Sequence, residues 1–247
     1  MLKYTKLYFN KIAEILEDVE RTQGEKIYKA ALKVAETFEQ GKSTFVFGCS
    51  HAGIIAEELF YRTGGLAIIN PIFNPTLMLN TRPVTLTTKI ERIVGFGKVI
   101  LESSPINKGD VLIIHSVSGR NNVPVEMAIE AKERGIYVIA ITNLSYSTNV
   151  SSRDESNKKL YEVADLVIDN CGVYEDSIVE IEGLSQKVGP TSTIIGAAIG
   201  HSIVIETANI LLEKGIQPPI FHSANIDGGD EFNKKILEKH KNLIHYL

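Results

Sequence analysis

The sequence predicts a doubly wound α/β fold: a mainly parallel, five-stranded sheet flanked by helices, behind an N-terminal helical extension. Three observations carry this. From residue 44 onward, short β-rich or apolar runs alternate with segments of helical period. Val111–His115 is almost wholly apolar, the pattern of a strand buried on both faces of a parallel sheet. The strand, helix, strand unit from Val111 to Ile141 has the length of a right-handed parallel crossover.

The elements follow in chain order. Leu7, Ile12, Ile15, Leu16 and Val19 recur at helical spacing, and after Gly24 the period resumes through Ile27, Ala31, Val34 and Phe38. This reads as a helical hairpin or one kinked helix before the sheet, a packing or dimerisation arm. Thr44–Phe47 is a strand ending at Gly48, and a helix follows through Ile54, Leu59 and Phe60. Leu66–Ile69 is a second short strand. Pro71, Pro75 and Pro83 mark irregular chain, with a helix expected from about Thr88 to Leu101.

Val111–His115 is the third strand. Pro124 then falls where a helix's first turn tolerates it, and Gly135 stops that helix before the strand Tyr137–Ile141. Residues 145–159 read as a polar loop and Ala164–Asp169 as the fifth strand. Pro190 opens a long apolar helix from Thr193 to Leu212, ended by Gly215 and Pro218-Pro219. The domain reading is an extension over 1–40, a core domain over 41–230 and a helical tail over 231–247.

Composition narrows the function. The 247 residues are 44% apolar and 23% charged, ordinary globular usage that permits a sizeable core. A net charge of -4 does not support a nucleic-acid surface. Cys49 and Cys171 form no pair-spaced motif, so no disulfide framework is indicated and a reducing, cytoplasmic compartment fits. The first ten residues lack an apolar signal core, and no uncharged apolar run approaches the roughly 18 residues of a membrane span. A soluble chain with no membrane or nucleic-acid partner is expected.

Two loops carry the chemistry. Ser116-Val117-Ser118-Gly119-Arg120-Asn121-Asn122 lies between a buried strand and a helix N-terminus, where free backbone N–H groups and the helix dipole favour an anion. Gly119 permits the tight turn, and a phosphate fits the place well; Ser and Asn also simply make turns and N-caps. Gly48-Cys49-Ser50-His51-Ala52-Gly53 holds the equivalent place after the first strand. Ser50 breaks the spacing of a dinucleotide loop, and no Gly-Lys-Ser/Thr of a P-loop occurs. His51, His115, His201 and His222 show no metal-ligand spacing, and neither a cofactor nor a metal is expected. No nucleophile elbow appears, which disfavours acyl transfer.

The strand, Ser-x-Ser-Gly, helix, Gly, strand, Thr series from Val111 to Thr142 resembles the core of the sugar isomerase (SIS) family, and the likeness extends over about residues 40–230. The whole chain further resembles uncharacterised bacterial SIS proteins in its ending from Pro218-Pro219 through Ser223-Ala224-Asn225-Ile226-Asp227-Gly228-Gly229-Asp230. The family includes arabinose-5-phosphate and sedoheptulose-7-phosphate isomerases, the isomerase half of glucosamine-6-phosphate synthase, and N-acetylmuramic acid 6-phosphate etherases. The resemblance implies a phosphorylated sugar as ligand, bound by Ser116, Ser118, Gly119, Arg120 and Asn121, with Ser50 and His51 on the first loop and Arg120 as a two-point phosphate contact. His51 stands where isomerases often show Lys. Pro190-Thr191-Ser192-Thr193 resembles a Pro-Thr-Ser-Ser-Thr stretch of the isomerases, which implies that Thr191, Ser192 and Thr193 also touch the sugar phosphate.

The resemblance further implies aldose–ketose isomerisation through an enediol, with Glu91 as the base and His222 opening the ring. Glu206 is a secondary catalytic candidate, and as a carboxylate inside an apolar helix it needs a partner. His201 reads as a core histidine held by a neighbour, and His115 as support beside the phosphate loop. Arg120, followed soon by Pro124, is closer to the Ser-Gly-Arg-Thr-Pro of the etherases, which keeps an amino-sugar or muramic acid phosphate lyase open. A sugar-phosphate sensor without turnover is the third reading. Relatives of this kind are usually homodimers or homotetramers, so His222 can serve its own or a neighbouring copy.

Overall fold

The computed structural model describes residues 2–247. A single helix, α1, runs from Lys3 to Glu39, and Gly24 does not divide it. The apolar stripe continues in phase across Gly24, so packing holds the helix together where a hairpin is one reading of the sequence. Ile12, Ile15, Val19, Ile27, Ala30, Ala31, Val34 and Ala35 form that stripe, and all belong to the main core.

Strand β1 (Thr44–Gly48) leads through a 3₁₀ turn (Ser50–Gly53) into α2 (Ile54–Leu59). Strand β2 is Ile69–Pro71, later than the sequence suggests, because Leu66 is engaged in an antiparallel bridge with Ile220. The helix expected at 88–101 is two short ones, α3 (Thr85–Ile90) and α4 (Phe96–Glu102). Gly95, at φ 80°, separates them. The Glu126 carboxylate accepts from the Gly95 and Gly97 N–H groups at 2.7 and 2.9 Å and so caps α4 from a distance.

Strand β3 (Val111–His115), α5 (Asn122–Glu133) and β4 (Tyr137–Thr142) form the predicted crossover. One-turn helices α6 (Leu144–Ser147) and α7 (Leu160–Val163) punctuate the next loop before β5 (Leu166–Asp169). A small antiparallel hairpin follows, β6 (Ser177–Val179) with β7 (Val188–Pro190). Nothing in the sequence pattern announced it, since each strand has three residues. Pro190 therefore closes β7 rather than opening the long helix, which is α8, Ser192–Glu213. The tail carries α9 (Gly229–Lys239).

The sheet is parallel throughout, in the order β2-β1-β3-β4-β5. Side chains alternate between its faces as strand geometry requires. Val46, Ile113, Ile139 and Ile168 pack under α1, α2 and α8, while Phe45, Phe47, Leu112, Ile114 and Val138 pack under α4 and α5. Helix α8 is long and apolar enough by composition to cross a membrane, yet half of it is packed inside the fold. Gly196 and Gly200 allow its close seating. A Cβ at Gly200 would come within 2.8 Å of Leu59, and one at Gly196 within 3.1 Å of His115. Chain order reverses between β1 and β3, so the loops leaving these two strands open side by side at the carboxyl edge of the sheet.

Candidate functional site at the β1–β3 switch point

The loop after β3 has its carbonyls bonded into the fold and its amides left free. Thr142 at the end of β4 donates its hydroxyl to the Ser116 and Val117 carbonyls, at 2.7 and 3.1 Å. The Asn143 N–H takes the Val117 carbonyl again at 3.0 Å, and the Leu160 N–H takes that of Gly119 at 2.8 Å. With its carbonyls tied outward, the loop presents its amides elsewhere. Among the described residues, no backbone N–H from Val117 to Asn121 donates to a protein acceptor. The hydroxyls of Ser116 and Ser118 are equally unengaged in side-chain hydrogen bonds, and Gly119 adopts φ 57°. Successive free amides around a left-handed residue, at the N-terminus of a three-turn helix, make an anion-binding concavity.

The loop after β1 lies against it. A Cβ on Gly48 would stand 2.4 Å from the Ala52 carbonyl oxygen, so only glycine lets this turn close. Ser50 sits at φ 53°, and His51 is exposed on the short turn. The Ala52 carbonyl accepts from Nδ1 of His115 at 3.0 Å, which fixes the histidine tautomer with its proton on Nδ1. Burial holds the His115 pKa below its ordinary value of 6.5, against the pull of the Ala52 hydrogen bond and the Asp176 charge. His115 is thus a brace of depressed basicity between the two loops, where the sequence suggests only support beside the second.

Glu91 comes to this place from the end of α3. Its backbone carbonyl accepts from the Val123 N–H at 3.2 Å, which docks it on the first turn of α5. Its side chain meets the Asn121 amide, and its charge reaches Cys49 of the first loop. Burial raises the Glu91 pKa above 4.5, opposed by the Asn121 hydrogen bond and by Arg92 and Arg153. A partly buried carboxylate of raised pKa between two ligand loops suits a general base.

The N-terminus of α8 is differently arranged. The Asp176 carboxylate accepts from the Thr191 N–H and hydroxyl at 3.0 Å each, from the Ser192 N–H at 2.8 Å and from the Ser192 hydroxyl at 2.6 Å. The donors of Thr191 and Ser192 that the resemblance assigns to a sugar phosphate therefore serve an internal cap. Asp176 stands at φ 67°, a left-handed conformation that tolerates Asp. Thr193 keeps its hydroxyl free of such bonds. No pattern in the sequence pointed to Asp176, which sits in an irregular turn before β6.

Other candidates lie apart from the loops. His222 is exposed, stacks on Phe232 with ring centroids 3.6 Å apart, and lines a separate cavity of about 300 Å³ with Tyr61, Asp230 and Lys234. Glu206 lines a groove between α1 and α8 beside Tyr28 and Ser202, open enough to need no partner. His201 donates from Nε2 to the Glu58 carboxylate at 2.9 Å, the neighbour expected for it. Arg120 donates to Ser151 at 3.1 Å, and Arg153 donates to Asn121 at 2.7 Å. Arg153 was not foreseen, because the polar loop that carries it has no periodic pattern to place it.

The SIS domain profile matches residues 7–143, which takes in α1 as well as both ligand loops. A UPF0309 protein of Shouchella clausii is 52% identical over 246 residues, with 100% of each chain covered, and one of Oceanobacillus iheyensis is 51% identical over the same span. Among solved structures, a phosphoheptose isomerase from Francisella tularensis superposes with a TM-score of 0.57 at 16% identity, covering 84% of this chain and 98% of its own. The sugar isomerase domain of an RpiR transcription factor from Sphaerobacter thermophilus does so with a TM-score of 0.50 at 15% identity, covering 98% and 99%. The chain belongs to the SIS domain family and, within it, to the group of the UPF0309 proteins.

Proposed function

We propose that the chain binds a phosphorylated sugar and interconverts its aldose and ketose forms. The observation that carries this is the run of free backbone amides from Val117 to Asn121 beneath the α5 dipole. The phosphate seats on these amides and on the Ser116, Ser118 and Thr193 hydroxyls, with Ser50 and His51 closing the other side. The sugar extends toward Glu91. There the carboxylate takes a proton from C2 and returns it to C1 through an enediol, with no oxidant and no leaving group required. Ring opening is assigned to His222 of a neighbouring copy, since within one chain His222 lines a different cavity.

Hydrogen exchange tests the reaction. Sugar phosphates incubated with the protein in deuterated water acquire deuterium at C1 or C2 if Glu91 enolises them. Tight binding without exchange leaves a sensor instead. Arg120 favours one second reading, an etherase-like lyase, for which lactate release from muramic acid 6-phosphate is the positive result.

A further inference from the structure

Two long helices begin at the carboxyl edge of the sheet, α5 with 12 residues and α8 with 22, and they meet an anion in opposite ways. The amides leading into α5 are free. The start of α8 is already filled. Its Thr191 and Ser192 give two N–H groups and two hydroxyls to the Asp176 carboxylate, at 2.6 to 3.0 Å. Amides and hydroxyls converging on a pair of anionic oxygens are what a helix N-terminus offers a phosphate from outside.

The carboxylate is not a cap supplied by the adjoining sequence. Thr191 holds the N-cap position and makes no side-chain cap bond there. Asp176 instead reaches in from the turn before β6, 15 and 16 residues away from its partners. Glu175 and Asp176 both stand in the left-handed region to do so, at φ 63° and 67°. Two consecutive non-glycine residues there are strained, and such strain persists only where the surroundings hold it. The four hydrogen bonds hold it.

The two termini are neighbours. The Asn143 N–H takes the Val117 carbonyl of the loop after β3 at 3.0 Å. A Cβ on Gly172 would lie 2.7 Å from Nδ2 of the same Asn143 and 3.3 Å from Oγ1 of Thr191, so one glycine separates α8 from the residue that braces the loop. Asn170 borders this gap, fully buried, and its Nδ2 has no acceptor.

We propose that Asp176 sets the charge of the ligand: it fills the anion place of α8 from within, so that the site admits one phosphate, at α5, and refuses a second. The substrate class is then a sugar monophosphate, and sugar bisphosphates are excluded. A second phosphate would have to displace a carboxylate held by four hydrogen bonds, or lie beside it as a like charge. The inference rests on the phosphosugar reading and narrows it.

Calorimetric titration of the full chain with inorganic phosphate counts the places without needing the right sugar. The parent is expected to take one phosphate per chain. Asp176→Gly suits φ 67° and withdraws the carboxylate, so it takes two, the second with a Kd within about tenfold of the first. Adding Ser192→Ala to that variant weakens the second phosphate at least about fivefold and moves the first less than about twofold. If Asp176→Gly does not fold by circular dichroism, Asp176→Ser opens the same place and gives the count. Two phosphates on the parent, one on the folded variant, or a second phosphate indifferent to Ser192→Ala overturns the inference and leaves phosphosugar binding standing. A folded parent that takes no phosphate sinks both readings.

Discussion

At the scale of single residues, the proposed function separates groups that bind from groups that react. The Ser116 and Ser118 hydroxyls make no hydrogen bond inside the protein, so on the proposed function replacing both with Ala removes ligand contacts and little else. The double variant is expected to weaken phosphosugar binding by about 1–3 kcal/mol with an unchanged melting temperature. Titration and thermal unfolding on the same preparation check this, and a cooperative loss of stability would mean that the hydroxyls serve the fold. Glu91 is the opposite case. Its pKa is raised in the native state, so the folded protein binds a proton more readily than the unfolded chain does. Stability from that group is greatest at low pH and declines as pH rises from 4.5 through the folded pKa. Above the folded pKa the ionised carboxylate is a burden to the fold. Glu91→Gln should therefore melt at the same temperature or higher while losing deuterium incorporation at C1 and C2. A variant that exchanges at the parent rate removes Glu91 from the chemistry.

At the scale of elements, the β3 to α5 connection works because its amides are kept free, and two devices do this. One is the Thr142 hydroxyl, which ties down carbonyls of the loop. The other is Gly119, whose φ of 57° turns the peptide groups inward. An added Cβ there would meet Leu160, Ser147 and Thr142 atoms, each at 3.3 Å. Gly119→Ala is expected to cost about 1–2 kcal/mol through the left-handed backbone and to abolish phosphate binding. Retained affinity would show that the turn is not the cradle. Helix α8 needs the other kind of terminus. Asp176 supplies it with four hydrogen bonds, so Asp176→Ala is expected to destabilise the chain by about 2–3 kcal/mol in urea unfolding. The contrast also marks what the sequence made legible. Strand Val111–His115, the Ser-x-Ser-Gly turn and α5 are contiguous, so period and turn chemistry reveal them together. Asp176, Arg92 and Arg153 reach their places through irregular segments, and only the folded chain brings them to the helix ends. The hairpin β6–β7 escaped for a related reason: strands of three residues are too short to show alternation.

At the scale of the whole molecule, His115 ties the centre of the sheet to the loop after β1 and to α8. It ends the strand at the centre of the sheet, holds the Ala52 carbonyl on one side, and lies against Gly196 of α8 on the other. Its Nε2 has no partner, so the ring can take up a second proton only by burying an uncompensated charge. The unfolded chain pays no such cost. Below pH 6.5 the unfolded state therefore binds more protons at this residue, and native stability falls with falling pH until the depressed folded pKa is passed. One histidine contributes at most about 1.4 kcal/mol per pH unit across that window. Burial depresses His201 and His240 as well, so they act in the same direction, though both are partly exposed and weaker. Glu91 acts in the opposite direction, gaining stability as pH drops toward 4.5. Because these effects overlap, acid lability alone does not identify His115; the variant does. His115→Asn keeps a donor near the Ala52 carbonyl and cannot be protonated. Urea unfolding at pH 7.5 and 5.5 should show the parent losing more stability than His115→Asn over the same interval. Equal losses in the two proteins would mean that the ring finds a compensating charge, and that the loops and α8 are not coupled through a neutral histidine.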